Sequence, residues 1–249
     1  MAKPRHLARA PIIEAVIDIQ VAPRAGASFV DLETAFKSLD FGFRRQSFVI
    51  AGTVGFSVNL DAEVQHSGGM ERIGLRLQSD DEKYVALIRT NGLSLSRLAP
   101  YESFDTVAAT TRKLWEIYVN RWAPEKVTRI ATRYINNLRL PLKDGQQLSD
   151  FIDTLTELPA DVPQSIGPFL QQFNCMDRGS DCRVQLTLAW NGLADQNGRV
   201  PVILDIDAFK MHEYPPRDSE VWSSLDTLRA LKNRCFFGTV TELALKEYA

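Results

Sequence analysis

The order of predicted secondary structure repeats along this chain of 249 residues, and the repetition constrains the fold more than any single motif. Apolar and polar residues alternate from Ile13 to Val21, which is typical of a half-buried strand. Apolar residues at helical spacing follow between Phe29 and Leu39, and Ser28 is the predicted N-cap. The first unit is therefore a strand followed by a helix.

Four antiparallel strands and a long helix are predicted to complete the first half. The dipeptide Asn91-Gly92 favours a tight hairpin turn, because both central residues of such a turn need a positive φ. The strands are predicted at 47–60, 72–78, 83–89 and 93–98. An amphipathic helix is predicted at 103–123, and Pro124 ends it.

The same order starts again after Pro124. A strand is predicted at 126–140, a short helix at 147–155, and a long helix at 218–234. Three further strands are predicted at 169–175, 182–190 and 200–209. Thr239 and Glu242 have the spacing of a capping box, which predicts a short final helix.

The sequence thus predicts an α+β fold with an internal duplication of a β-α-(antiparallel β)-α unit, its antiparallel sheets packed on two long helices. The predicted halves are 1–123 and 124–249. The linker around Pro124 is too short for independent motion, so the halves are expected to associate tightly or to form one domain. Trp115 and Trp222 lie on the apolar stripes of the two long helices and are predicted to be core residues.

Charge, apolar runs and cysteine content indicate the cellular compartment of the protein and argue against some classes of partner. A formal charge of -2 disfavours duplex nucleic acid as a partner, since neutralising many phosphates needs a basic face. The short basic run from Lys3 to Arg9 is predicted to be a solvated arm. No apolar run reaches membrane-spanning length, and no signal-peptide core is present. Three cysteines without a CxxC spacing favour a reducing cytoplasm.

The usual catalytic motifs are missing from the sequence. The three histidines fall in segments predicted to be tail or loop, and no GxSxG elbow is present. Neither GxxxxGK[ST] nor GxGxxG occurs, so no phosphate-binding loop and no cofactor is predicted.

One charged constellation on predicted strands is a candidate site. Asp205 and Asp207 share a strand face in VILDIDAF, and Arg129 and Arg133 share a face in VTRIATRYINN. Three interpretations remain open: cross-strand ion pairs on a solvated surface, a polar cavity in which arginines hold an anionic ligand, and a carboxylate site for Mg²⁺ or Mn²⁺. The candidate ligand-binding residues are Arg97, Tyr101, Arg129, Arg133, Tyr134, Asn136, Asp205 and Asp207.

Five segments together carry a family resemblance that covers nearly the whole chain. They are APIIEAVIDIQV, SLSRLAPYESF, VTRIATRYINNLRLP, ILDIDAF and WSSLDTLRALKNRCFFGTVTE. In combination they resemble a sporadically distributed bacterial family of uncharacterised proteins of about 250 residues, which implies a bacterial protein and no particular reaction. In the family's final motif a histidine often precedes the asparagine and phenylalanine. Here Arg229 or Leu231 stands at that position, while Asn233 and Phe236 are retained.

The sequence therefore favours a non-catalytic module that binds either a protein or a small anionic ligand. The alternative is a metal-dependent hydrolase or nuclease that uses Asp205, Asp207 and Glu14. Arg129, Arg133, Asp205 and Asp207 are predicted to lie on neighbouring strands and to face one another, because a continuous sheet would bring the first strand of the second half near its last. Their balanced charges also suit partial burial.

Overall fold

Every named strand of the described chain joins one antiparallel sheet. The structure, a computed structural model, describes residues 2–37, 42–58, 64–155, 159, 161–163 and 167–249, and describes only the backbone at 46, 51–58 and 64–70. Its strands are β1 (Ile12–Ala22), β2 (Phe43–Val58), β3 (Val64–Ser79), β4 (Tyr84–Arg89), β5 (Gly92–Leu98), β6 (Lys126–Leu140), β7 (Phe169–Asp177), β8 (Cys182–Trp190) and β9 (Val200–Tyr214). Its helices are α1 (Phe29–Ala35), α2 (Phe104–Trp122), α3 (Glu220–Thr239) and α4 (Glu242–Leu245).

The first strands of the two predicted halves lie side by side at the middle of the sheet. The strand order is β2-β3-β4-β5-β1-β6-β9-β8-β7, so nine strands form a single sheet across both halves. The last strand of each half flanks the first strand of that half: β5 pairs with β1, and β9 pairs with β6. The fold is therefore a mixed one, with a large antiparallel sheet and four helices in the described residues.

The two faces of the sheet differ in character, as the alternation along β1 requires. Ala15, Ile17 and Ile19 are buried on the face toward the long helices, which we call the helix face. Asp18 and Gln20 point to the opposite side, which we call the open face. α2 lies against β1 and β5, whereas α3 lies against β6, β8 and β9.

The β4–β5 hairpin corrects the predicted turn. Thr90 and Asn91 form the two-residue loop, and Gly92 is the first residue of β5, paired with Arg89. Glycine is required there because a Cβ atom on Gly92 would lie 2.4 Å from the carbonyl oxygen of Ile19. The loop is also held by α2, since the indole of Trp122 donates a hydrogen bond of 3.0 Å to the carbonyl of Thr90.

Several element boundaries differ from the predictions. The predicted helix at 147–155 is a 3-10 turn at Leu148–Asp150, and β9 continues to Tyr214. Thr241, and not Thr239, caps α4, because its side chain accepts from the backbone N–H of Ala244. The predicted strand at 47–60 and helix at 29–39 end at residues that lie outside the described residues.

The two predicted core tryptophans have different environments. Trp115 is 3% exposed, and its indole donates to the carbonyl of Pro216 at 2.9 Å, so its prediction is confirmed. Trp222 is only partly buried near the start of α3, where the guanidinium of Arg112 lies 4.5 Å from its ring centroid. The prediction of a core role for Trp222 is thus confirmed only in part, because its indole packs against the core without being fully buried. Among the described helices, none combines the length and apolar character needed to cross a bilayer.

Candidate functional site

The eight candidate residues from the sequence separate onto the two faces of the sheet. Arg129, Arg133, Asp205 and Asp207 lie on the open face, where they form ion pairs. Arg97, Tyr134 and Asn136 are buried on the helix face, and Tyr101 lies in the loop before α2. They therefore do not form one site.

The four charged residues of the open face lie on neighbouring strands and face one another, as predicted. β6 pairs with β9, and the backbone register places Arg133 opposite Asp207. The side-chain contacts run diagonally: Arg133 donates from two nitrogens to Asp205, at 2.9 and 2.5 Å, while Arg129 donates to Asp207 at 2.8 Å. Arg129 also donates to Asp18 on β1 at 3.1 Å.

Burial differs along this open-face network. Arg129 is 15% exposed and its side chain also lies over the ring of Phe209, whereas Arg133 is 48% exposed. Burial raises the pKa of Asp207, and the guanidinium of Arg129 opposes that rise. Each carboxylate thus has a guanidinium partner, which suits a stabilising ion-pair network.

The metal interpretation of Asp205 and Asp207 has less support from this geometry. A cation would have to displace Arg133 and Arg129 from the two carboxylates. In the described part of the chain, no group of three or more His, Cys, Asp or Glu side chains is arranged to hold a metal ion.

A pocket of about 450 Å³ lies on the other side of the molecule, against the helix face. Its walls are residues 5–8 and 10–12 of the N-terminal segment, residues 101–104 at the start of α2, Asn136 of β6, and Arg229, Lys232, Asn233, Phe236 and Phe237 of α3. We call this cavity the N-terminal pocket. Arg5 and His6 line it, so the basic run predicted to be a solvated arm forms one of its walls.

Lys232 is the most unusual side chain of the N-terminal pocket. It is 9% exposed, and its Nζ atom lies 3.7 Å from the ring centroid of Tyr134. Burial, and to a smaller extent the positive charge of Arg229, lower the pKa of Lys232 to about 7. Within the described residues no carboxylate or other acceptor pairs with Lys232. A buried ammonium without a partner is costly, so this arrangement requires explanation.

Two tyrosine hydroxyls meet beside the lysine. The hydroxyl groups of Tyr101 and Tyr134 are 3.1 Å apart, and their rings pack edge to face. Burial raises the pKa of both phenols, so both hydroxyls keep their protons near neutral pH. Asn136 fixes the backbone beneath them, since its amide donates to the carbonyl oxygens of Tyr134 and Leu204.

The remaining charges of the pocket are mostly positive. Arg229 donates to Asp105 at 3.0 Å and is 40% exposed. Glu102 is the one acidic residue among the described lining residues, and the buried guanidinium of Arg97 binds it at 2.7 Å. The electrostatic environment of the pocket therefore favours an anion.

Tyr101 and Asn136 are the sequence candidates that line this pocket, with Tyr134 beneath it and Arg97 behind Glu102. Sequence reasoning missed Lys232 and Arg229. The burial of Lys232 could have been inferred from the sequence. It lies four residues after Leu228 and four before Phe236, on the apolar stripe of α3. A charged residue at a stripe position is expected to be buried or functional.

Comparison with known proteins assigns no family to the chain. No protein-family model matches it, and no curated protein matches it. The residues of the N-terminal pocket are therefore the basis for a functional conclusion.

Proposed function

We propose that this protein is a cytoplasmic binding module that holds a small anionic ligand in the N-terminal pocket. The observation that carries the proposal is Lys232, a buried amine that faces a pocket and has no anionic partner in the described chain. An anion beside Lys232 would offset the cost of burying its charge. Pockets of about 300–1,000 Å³ hold small molecules, and this pocket is within that range.

Arg229 is the second group proposed to contact the ligand. Its existing partner, Asp105, is well exposed, and an ion pair of that kind contributes little. A ligand carboxylate or phosphate could therefore recruit the guanidinium of Arg229 at small cost. The phenol of Tyr101 supplies a neutral hydrogen-bonding group in the same cavity, whereas the amide nitrogen of Asn136 is engaged by two backbone carbonyls.

A thermal-denaturation screen against anions tests the proposal. The panel comprises monocarboxylates, dicarboxylates, citrate and phosphate monoesters at millimolar concentration. A ligand at a hundred times its Kd stabilises by about 2.7 kcal/mol, which corresponds to roughly 5–10 °C in Tm for a chain of this size. Stabilisation by no member of the panel would overturn the proposal.

Two variants and a matched control locate the site. Lys232→Met and Arg229→Gln are expected to lose most of the ligand-induced rise in Tm. Arg234→Gln is the control, since Arg234 lies on the same helix but pairs with Asp177 outside the pocket. An equal ligand-induced rise in all three variants would place the anion elsewhere.

We also propose that the two halves of the chain are copies of one unit. From the centre outward the strand order is β1, β5, β4, β3, β2 in one half and β6, β9, β8, β7 in the other, which is the same order apart from one additional strand. A long helix follows the last strand in both halves. Superposition of β1, β5 and α2 on β6, β9 and α3 in an experimental structure tests this, and divergent helix placement would contradict it.

A further inference from the structure

We propose that Lys232 captures its ligand by a reversible covalent bond, an imine with the carbonyl group of a 2-oxo acid. This inference rests on the proposed anion binding and specifies the class of ligand. It is drawn from three neighbouring features of the N-terminal pocket: a buried amine, a pair of hydroxyl groups and an arginine.

The amine of Lys232 has the environment of a nucleophile. An amine attacks only when it is neutral, and the buried position disfavours the ammonium form near neutral pH. A carboxylate in contact would restore the ammonium, and none of the described residues places one there. The ring of Tyr134 lies 3.7 Å from the Lys232 nitrogen, and Phe236 lines the same pocket.

The proposed reaction needs no oxidant, reductant or cofactor. The nitrogen lone pair of Lys232 forms a bond to the carbonyl carbon, the carbonyl oxygen takes up one proton, and the nitrogen releases one, which gives a neutral carbinolamine. The hydroxyl group of the carbinolamine then accepts a proton and leaves as water while the C=N bond forms, which gives a protonated imine. Release of the remaining N–H proton gives the neutral imine, so the protons taken up and released are equal. Amine and carbonyl compound are thereby converted into imine and one water molecule.

Tyr101 is the proposed proton donor for the departure of water. Tyr101 lines the pocket, its hydroxyl stays protonated, and the hydroxyl of Tyr134 can resupply a proton across the 3.1 Å contact. General acids of this kind typically contribute about 10²–10⁴-fold to a proton-dependent step.

The choice of a 2-oxo acid follows from charge. A protonated imine is positive, so a carboxylate on the adjacent carbon would stabilise it at short range. The same carboxylate is an acceptor for the fork of nitrogens on Arg229. The ring of Tyr134, which already faces the Lys232 nitrogen, would lie against the iminium as a cation–π partner.

Reductive trapping tests the inference. The protein is incubated with pyruvate, 2-oxobutyrate or 2-oxoglutarate and cyanoborohydride, and the product is analysed by intact mass and peptide mapping. A single saturable adduct is expected at Lys232, and Tyr101→Phe is expected to slow its formation at least about tenfold. Lys232→Arg keeps the charge but cannot form an imine, so it should bind the anion and give no adduct.

The 2-hydroxy acids lactate, 2-hydroxybutyrate and 2-hydroxyglutarate separate this inference from the proposed function. Each has the same carboxylate as the corresponding 2-oxo acid but a hydroxyl group in place of the ketone. Each can therefore bind only without forming a covalent bond. If the hydroxy acids raise Tm and the oxo acids leave Lys232 unmodified, imine formation is overturned and anion binding stands. If neither series raises Tm and no adduct forms, both proposals fail.

Discussion

Replacing Lys232 by methionine should stabilise the folded protein at neutral pH and should do so less at alkaline pH. Methionine has a similar length and no charge, so the variant removes the buried ammonium with little change in packing volume. In the unfolded chain Lys232 has its ordinary pKa of 10.5, whereas burial lowers the pKa to about 7 in the folded protein.

The sign and size of the effect follow from these two values. Between about pH 7 and pH 10 the unfolded chain binds a proton at Lys232 and the folded chain does not, so this residue makes stability rise with pH over that interval. Each pH unit within the interval contributes about 1.4 kcal/mol. Between about pH 6.5 and pH 9.5 the free energy of unfolding should therefore gain roughly 3 kcal/mol from Lys232 alone.

Urea denaturation of the wild type and of Lys232→Met across that pH range measures the effect. The difference in unfolding free energy between the two proteins cancels the contributions of all other titrating groups. It should favour the variant by about 3 kcal/mol more at the acidic end than at the alkaline end. Two parallel stability curves would refute the reasoning, because they would show that Lys232 titrates alike in the folded and unfolded chains.

Three further perturbations test the rest of the structure by the same urea assay. Trp115→Ala should destabilise by about 3–5 kcal/mol and Trp222→Ala by clearly less, since of the two only Trp115 is fully buried. Equal losses of unfolding free energy would contradict this difference in burial. In double-mutant cycles the half-buried pair of Arg129 and Asp207 should couple by about 1–3 kcal/mol. The pair of Arg133 and Asp205, whose arginine is more exposed, should couple by less than about 1 kcal/mol. The reverse order would contradict the difference in burial between the two arginines. Gly92→Ala should destabilise by about 2 kcal/mol or more, because the added Cβ meets the β1 backbone. The control Gly179→Ala, whose Cβ would meet open space, should change the unfolding free energy little. Similar effects of the two substitutions would contradict the close approach at Gly92.

The sequence was sufficient to predict the strands at the sheet centre and the charged side chains that share one face of them. Alternation along a strand fixes which side chains share a face, and this places Asp205 with Asp207 and Arg129 with Arg133. The repeated order of elements then suggested that these strands are neighbours. The diagonal choice of partners, Arg133 with Asp205, was beyond prediction because it depends on the twist and the side-chain reach across the ladder.

The N-terminal pocket was not predictable from local patterns. Its walls come from four separate segments of the chain, and the contact between Tyr134 of β6 and Tyr101 in the loop before α2 joins two distant parts of the sequence. The segment containing Arg5 has the composition of a solvated tail, yet Arg5 pairs with Glu242 at 2.9 Å. Composition does not determine whether a short segment finds a partner elsewhere in the fold.

The balance of charge distinguishes the two polar regions of this molecule. On the open face, Arg89, Arg129 and Arg133 contact Asp18, Asp207 and Asp205, so every charge in that network has a partner of opposite sign. A balanced network is complete without a ligand, and its expected role is stability.

Among the residues that the structure describes, the cations around the N-terminal pocket also have partners, with one exception. Arg5 pairs with Glu242, Arg97 with Glu102, and Arg229 with Asp105. The exception is Lys232, which is buried in the pocket wall. Its amine contacts the ring of Tyr134 and faces the cavity. A packed interior rarely retains such a group without use, because methionine at the same position would avoid the cost of burial. This imbalance is the reason that we propose the ligand site at Lys232 and not at the larger charged cluster of the open face.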